Sequence, residues 1–119
     1  MNYIEINGGD KNQKIFTEQI VKWCMSELLP RVRTLDITID LLNELDGGVD
    51  GYQWSGEDNR QHFIEINKNL CYDDFVTAIM HEMVHVKQDY RKDKSPIVDR
   101  EKEAYAKQEI LFERWKNDN

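Results

Sequence analysis

The segment Thr77–Asp89 reads TAIMHEMVHVKQD, and within it HEMVH sets two histidines four residues apart with a glutamate directly after the first. On a helix turning about 100° per residue, His81 and His85 stand about 40° apart and can each aim a ring nitrogen at one ion. Glu82 falls about 60° beyond His85, at the edge of that face, where a carboxylate can hold a water beside the ion instead of binding the ion itself. The chemistry this spacing suits is hydrolysis at a zinc ion that acidifies water toward a pKa of ~7, with Glu82 as general base. The bland alternative is three polar residues on an ordinary surface helix, a risk HExxH carries wherever it occurs.

A helix that presents those residues must bury its other side. Val76, Ile79, Met80, Met83, Val86 and Tyr90 recur at spacings of three and four, a stripe centred nearly opposite the two histidines. Ala78 lies on the histidine side and leaves room for another element to approach. The spacing predicts a helix from about Phe75 to Arg91, capped by Asp73 or Asp74.

A catalytic zinc takes three protein ligands and keeps one place for water, so a third must be found. The extension HExxHxxGxxH is excluded, because Gln88 and Arg91 stand where it needs Gly and His. Glu101 and Glu103 follow the Ser95-Pro96 break, at the start of a last helix expected over Val98–Lys116. Seen from Glu101, Ala104, Tyr105, Gln108, Leu111, Phe112 and Trp115 lie within about 80° on either side, whereas Glu103 lies about 160° away with Ala106, Lys107 and Arg114. Glu101 is therefore the preferred ligand, Glu103 the second choice and His62, the one remaining histidine, the third. Both glutamates also read as exposed charges placed favourably near a helix N-terminus.

Around these elements, Tyr3–Ile6 reads as a short strand ending in the turn NGGD. Ile15, Phe16, Ile20, Trp23, Cys24 and Leu28 give a helix over Lys14–Leu29, stopped by Pro30. Leu35, Ile37, Ile39 and Leu41 alternate as a half-buried strand. Asp46–Asn59, with four Gly and four Asp or Asn, reads as a long loop or irregular hairpin. Phe63, Ile64 and Ile66 supply another strand. Asp46, Asp50, Gly51 and Glu57 match parts of a calcium loop, but Gly48 takes a liganding position and a strand precedes it, which argues against one. The expected fold class is α+β, in a single domain over residues 1–119.

The 119 residues are 39% hydrophobic and 33% charged, with three Trp, five Tyr and four Phe, a globular composition. A net charge of −7 argues against nucleic-acid binding, which rests on clustered Lys and Arg. No segment approaches the ~20 apolar residues of a membrane span. The start MNYIEINGGDKNQK has no apolar leader, and Cys24 and Cys71 are isolated, so the simplest compartment is a reducing cytoplasm with free thiols.

From about Gln61 to Trp115 the chain resembles the gluzincins, zincins with HExxH on one helix and a glutamate ligand on a later one. Glu101-Lys102-Glu103-Ala104-Tyr105 resembles their glutamate signature, ExxA, in which the first Glu binds zinc and the small residue packs on the HExxH helix; Tyr105 stands where an acidic residue is often found. HEMVHVKQ followed by REKEAYA is most similar to small metallopeptidases of bacteriophage and bacterial genomes, somewhat akin to SprT-like proteins. The resemblance implies a minimal zincin core: a small sheet, an active-site helix and a glutamate helix. It also implies a peptide or protein substrate lying along an edge strand, expected to be HFIEIN.

Within that reading an oxyanion donor could come from His62, Tyr52, Tyr90 or Tyr105. Gln88 could orient a ligand or form cleft wall, and Asp89 or Asp74 could hold a histidine N–H. Two non-catalytic alternatives remain: a zinc ion that merely staples a binding protein, and a metal-free acidic chain that mimics nucleic acid.

Overall fold

The computed structural model describes every residue from Met1 to Asn119. Its elements in chain order are β1 (Tyr3–Asn7), α1 (Lys11–Leu28), β2 (Asp36–Leu42), a 3-10 turn (Asp46–Gly48), β3 (Gly51–Ser55), β4 (Gln61–Asn67), α2 (Tyr72–Tyr90) and α3 (Ile97–Asp118). The fold is α+β, as the sequence implied.

β1 runs into a turn whose glycine is required: at Gly8, with φ +82°, a side-chain carbon would meet the Leu41 carbonyl oxygen at 2.3 Å. Asp10 then caps α1 by accepting the Gln13 N–H at 2.8 Å, which satisfies a free donor of the first turn. This cap starts the helix at Lys11, three residues before the start expected at Lys14. α2 likewise starts at Tyr72, with Cys71 as its N-cap and no side-chain cap bond; Asp73 and Asp74 lie in the first turn, where they complement the helix dipole instead of capping it.

The four strands form one sheet in the order β1-β2-β4-β3. β1 and β4 run parallel to β2 on either side, and β3 runs antiparallel to β4. The expected edge strand is thus corrected: HFIEIN is β4 and lies inside the sheet, while the edges are β1 and β3, the latter from the segment read as a long loop or irregular hairpin. The physical reason is visible in burial, since His62, Ile64 and Ile66 of β4 all point into the core, and a half-exposed edge is left to the aromatic-rich GYQWS.

β2 and β4 share the same alternation of buried and half-exposed residues, so one sheet face packs on the helices and the other is open to solvent. Ile37, Ile39, Ile64 and Ile66 meet Val76, Ile79, Met80 and Met83 of α2 in a single core. At the far end the Phe16 ring packs on those of Phe75 and Trp115, each at 6.2 Å between centroids, and the Trp115 indole donates to the Tyr72 hydroxyl at 2.9 Å. That aromatic cluster fastens the far end of α3 to α1 and α2.

Candidate metal centre

α2 buries its apolar stripe as expected, which turns the opposite face toward β3 and α3. On that face His81 is 9% exposed and Glu82 6%, and α3 passes alongside with Ala104 fully buried against it. Its first turns carry Glu101 to the histidines: Glu101 Oε1 lies 2.6 Å from His85 Nε2, and Oε2 lies 3.3 Å from His81 Nε2. The two Nε2 atoms are 3.3 Å apart. His81, His85 and Glu101 are the one group of His, Cys, Asp or Glu residues that converges as metal ligands do, with all ligand atoms within 4.8 Å of one another.

The outer nitrogens of both rings are pinned by glutamines. Gln88 Oε1 accepts from His85 Nδ1 at 2.8 Å, and Gln108 Oε1 accepts from His81 Nδ1 at 2.8 Å. The Gln88 amide cannot be turned round, because its Nε2 donates to the Arg100 carbonyl at 3.0 Å and to Glu103 Oε1 at 2.8 Å. His85 Nδ1 therefore carries the proton and its Nε2 presents a lone pair; the Gln108 amide, its Nε2 donating to Glu109 Oε1 at 3.3 Å, favours the same tautomer of His81. Two imidazole lone pairs and a carboxylate then converge with no donor among them, a set reconciled by a cation or by added protons. The 3.3 Å between the two Nε2 atoms and the 3.3 Å from His81 Nε2 to Glu101 Oε2 match the edge of a tetrahedron built on ~2.0–2.1 Å bonds, about 3.3 Å. The residues present fit a zinc ion.

Glu82 stands beside this trio without joining it. Burial first, and the nearby charge of Glu101 second, push its carboxyl up to about 8, toward the range of a group that can both take and return a proton near neutrality. Gly51 of β3 closes over it: a side-chain carbon at Gly51 would lie 3.1 Å from Glu82 Oε2 and 3.0 Å from Ile66 Cδ1.

The trio opens onto a cleft of about 630 Å³ between the Gly48–Gln53 segment on one side and α2 and α3 on the other, within the size range of substrate sites. Of the four expected oxyanion donors, Tyr52 and Tyr105 line this cleft. His62 does not; it is fully buried, donates Nε2–H to the Asn59 carbonyl at 2.7 Å and accepts at Nδ1 from Gln53. Tyr90 is also absent from the lining, its own carbonyl accepting from Asn59. Tyr105 lies with its ring 4.5 Å from the His81 ring.

Of the three candidates for the third ligand, Glu101 is the one that lies beside both histidines. Glu103 belongs to the support of Gln88, and His62 belongs to the core. Asp89 does not hold a histidine; it accepts from Gln53 at 2.9 Å and faces Arg100 at 3.8 Å. Asp74 is exposed in the first turn of α2. Asp46, Asp50 and Glu57 form no ligand group. Sequence reasoning gave Gln108 no role, although its place seven residues after Glu101 sets it nearly two turns along the same face. Gly51 and Gln53 lay hidden in the presumed loop. No family model, curated protein or solved structure matches the chain.

Proposed function

We propose that the protein is a zinc-dependent metallopeptidase built on a minimal zincin core. The observation that carries this reading is the meeting of His81 Nε2, His85 Nε2 and the Glu101 carboxylate from two helices, with a buried glutamate beside it in an open cleft. A mixed sheet whose antiparallel edge strand borders that cleft supports the zincin likeness. Cys24 and Cys71 are free thiols, which suits work in a reducing cytoplasm.

His81, His85 and Glu101 would hold the metal, with Gln88 and Gln108 fixing the ring tautomers. When bound, zinc supplies Lewis acidity, which acidifies a water and polarises the scissile carbonyl. Glu82 accepts the proton of the attacking water as the new C–O bond forms, then delivers it to the amine nitrogen as the C–N bond breaks. Tyr105, on the cleft wall with its ring 4.5 Å from the His81 ring, is the side chain placed to donate to the carbonyl oxygen, whereas the Tyr52 side chain lies across from Glu65 on the open sheet face.

The test is cleavage of fluorescently labelled, unfolded casein by the zinc-loaded protein and by Glu82→Gln. Wild type should cleave and stop on chelation, while Glu82→Gln should keep its zinc and lose at least about 10²-fold in rate. Full zinc in both proteins with cleavage by neither would make the metal a structural staple; equal cleavage by both would remove Glu82 from the chemistry.

A further inference from the structure

If the cleft cleaves peptides, its edge strand indicates which ones. The Asp50 carbonyl accepts from the Asn67 N–H at 2.9 Å, and the Gly56 N–H donates to the Gln61 carbonyl at 2.8 Å. Antiparallel alternation then gives the β4-facing backbone groups to Tyr52 and Trp54, and leaves those of Gly51, Gln53 and Ser55 on the free edge. An extended chain can pair there.

In such a pairing, the residue opposite Gly51 lies beside Glu82, whose Oε2 is 3.1 Å from where a Gly51 side-chain carbon would stand. The residues opposite Tyr52 and Trp54 turn to the open sheet face. Tyr52 and Trp54 are 55% and 37% exposed, and their rings continue as a row through Phe63, with centroid separations of 5.6 and 5.4 Å. Glu65 pairs across from Tyr52. The same face carries Glu5, Asp36 and Asp40, and no strand of the sheet contains Lys or Arg. Aromatic faces flanked by carboxylates attract ammonium and guanidinium groups.

We infer that the substrate is an extended segment with Lys or Arg at alternate positions, paired on β3 so that its basic side chains rest on Tyr52 and Trp54. The basic residues stand one and three places from the residue opposite Gly51. This specificity rests on the peptidase reading, but binding and cleavage can be scored apart.

The probes are two fluorescein-labelled dodecapeptides, alternating Lys-Ser and Glu-Ser, titrated by anisotropy against zinc-loaded Glu82→Gln at about 0.15 M salt, where long-range attraction is largely screened. The Lys peptide should bind at least about tenfold more tightly, as two cation–π contacts imply. Adding Tyr52→Ala with Trp54→Ala should bring the two peptides within about threefold. Because a net charge of −7 attracts any cationic peptide, Glu65→Lys is compared with Glu113→Lys, an equal charge change on exposed α3. Glu65→Lys should weaken Lys-peptide binding at least about threefold more than Glu113→Lys. This comparison also decides the matter if the aromatic double variant fails to fold. Equal binding of both peptides, or equal effects of the two lysine variants, overturns the inference. Casein cleaved by wild type alongside such a result leaves the peptidase reading standing, whereas a Lys preference located on β3 with no cleavage sinks that reading and keeps the surface.

Discussion

Gln88 holds the His85 ring in place. It is 3% exposed and joins His85 to the Arg100 carbonyl and to Glu103, so one residue sets a ring tautomer and ties α2 to α3. Gln88→Leu should weaken zinc binding by about 10–100-fold, measured by competition with a chromophoric chelator. Unchanged affinity in the leucine variant would deny Gln88 this role. At Gly51 the close approach to Glu82 leaves no room for a methyl group unless Glu82 or Ile66 gives way. Gly51→Ala should therefore lower kcat by on the order of tenfold while zinc content stays at wild-type level. That His81 and His85 share one helix face, and that Glu101 shares a face with Ala104, was legible in the sequence from helical periodicity; that the two faces meet was only implied by the resemblance. The role of Gln108 was not legible, since an amide on a helix face is silent until the partner across from it is known.

Among the elements, α2 and α3 were readable from their stripes, and β2 and β4 from alternation. For β3 the sequence left a loop and an irregular hairpin both open, and the structure takes the hairpin; its five residues carry Gly and Ser at the ends and lie between Gly- and Asp-rich turns, so composition obscured the Tyr52–Trp54 alternation. Its misreading moved the expected edge to β4, although β4 buries every second side chain. α3 depends on its far end: Trp115 is 4% exposed and packs on Phe16 and, at 5.6 Å, on Trp23. Trp115→Ala should cost about 3–5 kcal/mol in urea unfolding and should loosen zinc as Glu101 loses its fixed position. A loss below about 1 kcal/mol would show that α3 is held by other contacts.

On the scale of the whole molecule, the proposed ligands come from two helices joined by a short break, so metal binding and folding must be linked. A hundredfold excess of free zinc over Kd should add about 2.7 kcal/mol and raise Tm by on the order of 10 °C, reversed by chelation. Buried His62 adds a pH term of its own. Burial, the largest effect, holds its pKa below the ordinary 6.5; in the acid range just under that value the unfolded chain binds a proton that the folded chain refuses. Its contribution to stability is therefore complete above about pH 6.5 and declines as the pH falls below it. His62→Gln should flatten that part of the urea-unfolding profile of the metal-free protein, and an unchanged slope would place the acid sensitivity elsewhere.

The zinc content of the purified protein, wild type beside Glu101→Ala and Glu103→Ala, bears most directly on the central claim. A centre made of His81, His85 and Glu101 requires about one zinc per chain in wild type, most of it kept in Glu103→Ala and nearly all of it lost in Glu101→Ala. Wild-type protein that takes up no zinc when supplied with it, or a Glu101→Ala variant that holds zinc as well as wild type, would contradict that centre.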